Sequence, residues 1–169
     1  MSPLLLPRVL AFVLDWLLLA VWGGLLFGVV YMVTGGEFGA APGFWRAEAV
    51  SFGLMTLPFA MYFAVLESRP GQASVGKRVV KLRVEGLGGE RLGLGRALIR
   101  ALIKFVPWEL GHIQVNLALA GVEGAPLFLA AALCWLGIFG YAYLLASGAQ
   151  MPYDLAVGAR VVRATPGAR

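Results

Sequence analysis

Positions 9–33 hold one charged residue, Asp15, among 25 otherwise uncharged and mostly apolar positions. A helix crosses the bilayer core with about 20 apolar residues, so this run predicts a span over 7–33. Arg8 stands at its mouth, and Pro7 falls in the first turn, where a missing N–H is no loss. Two further apolar runs predict spans over 47–66, with Pro58 inside, and over 124–147. A fourth stretch, 100–120, is apolar at helical spacing yet carries Arg100, Lys104, Glu109, His112, Gln114 and Asn116. Between the second and third runs the period changes. Val80, Leu82 and Val84 alternate with Lys81, Arg83 and Glu85, the pattern of a half-exposed strand. Gly86, Gly88 and Gly89 supply a turn, and a return strand over 90–94 completes a small β-hairpin over 76–94. A second alternating piece, 157–162, is able to add a strand to it.

Composition fixes the class. The 169 residues are 60% hydrophobic and 14% charged, with a mean hydropathy of +0.81; soluble domains carry about 25% charged residues. The fold expected is an all-α membrane protein of about four transmembrane helices with a small cytoplasmic β-hairpin, in one domain over 1–169. The first run exceeds the 7–15 apolar residues of a signal peptide and has no small-x-small cleavage site after it, so it is read as a retained span. The net charge of +5 marks a membrane side rather than a nucleic-acid partner. Arg69, Lys77, Arg78, Lys81, Arg83, Arg91, Arg96, Arg100 and Lys104 cluster between the second and third runs, and Arg160, Arg163 and Arg169 follow the last one. Basic loops face the cytoplasm, so the chain must cross an even number of times between them. Four spans in a cell (inner) membrane, with both termini in the cytoplasm, satisfy this. The other arrangement lays 100–120 along the headgroups as an amphipathic helix and puts the tail outside.

A carboxylate inside a span costs roughly 2.5–3.5 kcal/mol on insertion scales and faces protein or water rather than lipid, so Asp15 needs a partner. At a rise of about 1.5 Å per residue, Asp15 lies roughly 10 Å beyond Arg8. Counted from Arg100 on the same rise, Lys104 lies roughly 6 Å deep, Glu109 roughly 13 Å and His112 roughly 18 Å. An Asp15–Lys104 pair, or Asp15 bridged by water to His112, therefore fits. Arg8, Arg100 and Asp154 return to the same mouth, and an Arg8–Asp154 pair is expected there, since a guanidinium grips a carboxylate bidentately. Glu109, His112 and Asn116 recur at i, i+3 and i+7 and share a helix face. Such a face either binds a cation or relays a proton, or holds helices together.

Other chemistry finds little footing. The single cysteine, Cys134, excludes an internal disulfide, and one histidine excludes multi-histidine metal chemistry. No metal or cofactor is expected. Ser68, Ser74 and Ser147 have no histidine and aspartate at a recognisable spacing, so no enzyme is expected. Gly71 to Lys77 lacks the hydroxyl residue that a phosphate-binding loop places after its lysine, because Arg78 stands there.

Arg8 and Asp15, the stretch Gly71-Gln72-Ala73-Ser74-Val75-Gly76-Lys77-Arg78, and Asp154 near the last run together resemble the RDD family of small prokaryotic membrane proteins, named for one arginine and two aspartates. Ala73 replaces a residue more often threonine, and Tyr153 stands where a histidine is usual. The resemblance covers nearly the whole chain. It implies a helical membrane domain with a small cytoplasmic element, and a transport role, sodium–proton exchange having been proposed for some members.

Two functions follow as expectations. One is a transporter or cation–proton exchanger using Asp15, Glu109, His112, Asn116 and Lys104, with Arg8, Arg100 and Asp154 as a structural or gating set. Four helices are few for a pathway, so a homo-oligomer is expected, and Gly24-x-x-x-Gly28 offers a face for close helix approach. The other is a non-transporting scaffold whose Lys77, Arg78, Lys81 and Arg83 contact anionic lipid or a partner, at about 1 kcal/mol per basic residue near the surface.

Overall fold

The computed structural model describes residues 3–35 and 43–164. Helix α1 spans Leu5–Thr34. The second long helix runs from α2 (Phe44–Ser51) through one π-helical turn (Phe52–Thr56) into α3 (Leu57–Ser68). A short helix α4 (Val75–Val79) leads to strand β1 (Leu82–Gly86). Helix α5 (Leu94–Leu119) and helix α6 (Ala125–Ser147) follow, then a short helix α7 (Pro152–Ala156) and strand β2 (Ala159–Arg163).

Three of these helices, α1, α2–α3 and α6, are long and apolar enough to cross a membrane. Large apolar side chains such as Leu25, Phe128 and Leu136 cover their outer faces. Helix α5 carries too many polar groups for that pattern, yet it lies along the second helix rather than apart from it. Arg100 near its start meets Glu67 at the end of α3, and Asn116 near its end meets Glu48 at the start of α2. The two helices are therefore antiparallel neighbours over their whole length, which excludes a detached α5.

Two prolines shape the bundle. Proline removes the hydrogen bond to the carbonyl four residues earlier and crowds it. Pro107 frees the Ile103 carbonyl in this way, and the Tyr141 hydroxyl of α6 donates to that oxygen at 2.9 Å. Gly137 of α6 lies so close to Pro107 that a Cβ there would stand 2.9 Å from the ring. In the second helix the widened turn Phe52–Thr56 immediately precedes Pro58, where an extra residue relieves the same crowding. Among the described residues, no atom outside α1 lies within 4 Å of a Cβ added at Gly24 or Gly28, so that face carries no described helix.

At one end of the bundle α4, the two strands and α7 form a collar. The sheet departs from the hairpin expectation. The partner of β1 is β2 from the tail, antiparallel, with Val84 opposite Val161 and Glu85 opposite Arg160. Residues 90–94 form no strand, because Gly86 to Gly93 turns directly into α5. Leu82, Val84, Ala159 and Val161 point one face of this sheet onto Ala11, Ala64 and Ala97 at the bases of α1, α3 and α5. The small side chains let the sheet sit close beneath the helices. Lys81 adopts a left-handed conformation (φ 56°) at the bend from α4 into β1, so the strand starts at Leu82.

Candidate functional site

The collar is held by buried charge. Asp15 projects from the third turn of α1 toward α4, and its carboxylate takes three hydrogen bonds. The Tyr62 hydroxyl and the Gly76 amide each donate to Oδ1 at 2.8 Å, and the Ser74 hydroxyl donates to Oδ2 at 2.6 Å. Val75 N–H donates in turn to the Tyr62 oxygen at 3.0 Å. Gly76 permits this approach. A Cβ there would overlap the Ala11 carbonyl oxygen and stand 3.0 Å from the Asp15 carboxylate. Lys77, one residue on, turns inward to Glu67 Oε1 at 2.8 Å. Glu67 is fully buried, and its other oxygen receives Arg100 Nη1 at 2.5 Å. Arg100 Nε donates to Asp154 Oδ1 at 2.7 Å, with the guanidinium over the Tyr153 ring. Burial pushes the Tyr153 phenol above its ordinary value, the nearby Asp154 and Glu67 carboxylates add to the rise, and the Arg100 guanidinium offsets part of it. Two cations and two carboxylates thus form a closed chain from α4 through α3 and α5 to α7. Charges this deeply buried are tolerable only when paired and hydrogen-bonded.

A second polar cluster lies further along α5. Glu109, His112 and Asn116 share one face, as their spacing predicts, and that face meets the second helix. Thr56 Oγ1 donates to Glu109 Oε2, and its oxygen lies 3.4 Å from His112 Nδ1. That imidazole nitrogen is 3.5 Å from Glu109 Oε2. Asn116 Nδ2 donates to Glu48 Oε2 at 2.8 Å and to Ser51 Oγ at 2.9 Å. Glu109 Oε1 is buried with no hydrogen-bond partner. Two carboxylates, an imidazole, an amide and two hydroxyls therefore meet beside the π-helical turn.

Several expected pairs are replaced. Asp15 is not joined to Lys104 or His112, because the Ser74–Gly76 segment reaches it first and fills its acceptor sites. Arg8 does not take Asp154. Arg100 does, and Arg8 Nη2 donates to the Val161 carbonyl at 3.4 Å. Lys104 Nζ lies over the Phe63 ring, 3.3 Å from its centroid. Of the four basic residues read as a lipid or partner face, Lys77 is buried in the collar and Arg83 pairs with Glu85 at 2.9 Å, while Arg78 and Lys81 remain exposed. Glu109, His112 and Asn116 come together, but with Glu48, Ser51 and Thr56 rather than with Asp15.

Reasoning from sequence gave no site role to Glu48, Thr56, Tyr62, Glu67 or Ser74. A signal for the first two was present. Glu48, Ser51 and Thr56 stand at i, i+3 and i+8, a helical stripe lengthened by the one residue that the π-turn inserts.

Between α1, α5 and α6 lies a cavity of about 460 Å³, floored by the collar and lined by Arg8, Asp15, Lys104 and Asp154 among mostly apolar side chains. The second cluster lies outside it. A model of the RDD family matches residues 2–163, nearly the whole chain. No curated protein and no solved structure matches.

Proposed function

The chain belongs to the RDD family of membrane proteins, and from that premise we propose that it moves protons, coupled to a monovalent cation, through the polar face of α5. Helix α5 crosses the membrane beside the three apolar helices, giving four spans with both ends of the chain in the cytoplasm. The observation that carries this reading is the Glu109 oxygen, buried and unpartnered beside Glu48, Thr56 and His112. A carboxylate with a free acceptor site, facing a second carboxylate and an imidazole, is able to exchange a proton for a cation, because carboxylates and imidazoles inside a membrane are the groups that form proton relays and ion paths. The π-helical turn supports it, since such turns are frequent at functional sites. Asp15, Glu67, Arg100 and Asp154 then hold the collar rather than the pathway. A homo-oligomer would complete a route that four helices enclose poorly.

The test is proton flux into proteoliposomes under an imposed sodium or potassium gradient. Glu109→Gln and Glu48→Gln should abolish cation-dependent flux while the purified protein keeps its elution profile. Flux equal to that of the parent chain in both variants sinks the exchange reading.

The closed pairing of the collar favours a second reading, a scaffold that presents the exposed Arg78 and Lys81 to anionic lipid or a partner. Charge reversal at these two residues would then weaken vesicle binding. Unchanged binding to anionic and neutral vesicles alike removes this alternative.

A further inference from the structure

The walls of the cavity between α1, α5 and α6 have an uneven polar inventory. Arg8, Lys77, Arg100 and Lys104 line it against the carboxylates of Asp15 and Asp154. Lys77 and Arg100 are already committed to Glu67 and Asp154. The Asp15 oxygens already accept three hydrogen bonds. Among the described residues, neither Arg8 nor Lys104 has a carboxylate within ion-pair distance. Arg8 Nε is buried without a partner, and so is the indole N–H of Trp108, which lines the same cavity. The unsatisfied groups of this cavity among the described residues are therefore the Arg8 and Trp108 donors, and beside them Lys104 Nζ rests over the Phe63 ring with no carboxylate in ion-pair distance. Such a set is complementary to an acceptor-rich anion, because hydrogen bonds to charged acceptors are the strong ones.

The remaining lining is hydrocarbon. Phe12, Trp16 and Leu19 of α1 face Ile138 and Leu145 of α6 across the gap. These two helices are the ones whose outer faces are most apolar and exposed, so the gap lies between lipid-facing walls. A volume of about 460 Å³ lies within the roughly 300–1,000 Å³ of ligand sites that combine apolar walls with a few placed polar groups. Arg8 stands in the first turns of α1 and Lys104 one turn beyond the collar residue Arg100, so the cationic end is the collar end.

We propose that this cavity holds one anionic phospholipid, its phosphate between Arg8 and Lys104 with the Trp108 N–H in reach, and one acyl chain lying along Phe12, Trp16 and Leu145. The site differs from the exposed basic surface of the collar and from the polar face of α5, and it stands whether or not the chain moves ions. A zwitterionic lipid brings an ammonium group that these cations repel, and inorganic phosphate brings no chain for the hydrocarbon walls.

Native mass spectrometry of the full-length chain in detergent tests this with three probes: phosphatidylglycerol, phosphatidylcholine of the same acyl composition, and inorganic phosphate. The expected result is retention of a single phosphatidylglycerol with at least about tenfold preference over phosphatidylcholine, and no retention of phosphate. Arg8→Gln with Lys104→Gln should erase the preference. Ala142→Phe, which fills the gap and leaves every charge in place, should lower retention of both lipids about tenfold, and it decides the matter if the charge variant fails to fold. Equal retention of the two lipids, phosphate bound as well as phosphatidylglycerol, or an Ala142→Phe protein that binds like the parent chain would each overturn the proposal.

Discussion

Gly76→Ala is the sharpest probe of the collar. In an open helix this exchange gains up to about 1 kcal/mol, because glycine loses more backbone freedom on folding. At Gly76 the new methyl overlaps the Ala11 carbonyl and crowds the Asp15 carboxylate, as described above. Either α4 moves off α1 or Asp15 turns away, and both break the Gly76 N–H bond at 2.8 Å and strain the Ser74 bond at 2.6 Å. Hydrogen bonds to charged groups contribute about 1.5–3 kcal/mol each. Losing both would cost about 3–6 kcal/mol, and partial relaxation leaves an expected loss of about 3 kcal/mol. For a chain of this size that corresponds to a fall of about 6–12 °C in Tm. The assay is thermal unfolding of the purified chain in detergent, followed by circular dichroism. Gly95→Ala, where nothing lies within 4 Å of an added Cβ, is the control and should be neutral or slightly stabilising. Adding Gly76→Ala to Asp15→Asn should cost less than the sum of the two changes, because both act through one carboxylate. A Gly76→Ala protein melting with the Gly95→Ala control refutes the steric argument.

Glu67→Gln leaves Lys77 without a carboxylate and Arg100 with Asp154 alone, so a loss of about 3–5 kcal/mol is expected for a broken buried pair; denaturant titration in detergent measures it. Tyr141→Phe uncovers the Ile103 carbonyl freed by Pro107 and should cost about 1–3 kcal/mol, read as a lower midpoint in the same titration. The raised Tyr153 phenol gives a pH dependence of known sign. Its stabilisation is complete below the ordinary phenol value of 10.0 and is lost as pH rises through the higher folded value, so stability should fall above about pH 10. Tyr153→Phe should flatten that fall in melting curves taken across the alkaline range.

The three apolar helices were legible because length and charge depletion alone define a span. Asp15 announced itself as a group in need of partners, and the tail strand showed in its alternation. The identity of the partners was harder to read. The Ser74–Gly76 segment lies about sixty positions from Asp15, and its donors are a hydroxyl and a backbone amide, which no count of charges reveals. Arg100 rather than Arg8 holds Asp154 because α5 brings its guanidinium beneath α7, a matter of helix rotation that spacing does not fix. Glu67 stands just past the end of an apolar run, where a charge is commonly solvated, and nothing in its position signals that it is fully buried between Lys77 and Arg100. Glu109, His112 and Asn116 kept their common face, but the stripe opposite them was displaced by the π-turn. The RDD signature around Gly76 could be recognised as a pattern; its physical meaning, a clasp on the first aspartate, needed the geometry.

The pairing of β1 with β2 has a consequence for biogenesis. All four long helices leave the ribosome before Asp154 and the second strand do. Until then Arg100 has only Glu67, and the edge of β1 stands open to other chains. The collar is therefore a latch that closes only once Asp154 and the second strand have emerged. A product stopped before Asp154 would keep its apolar helices yet display Arg100 short of one carboxylate and a bare strand edge, features that mark it for quality-control proteases.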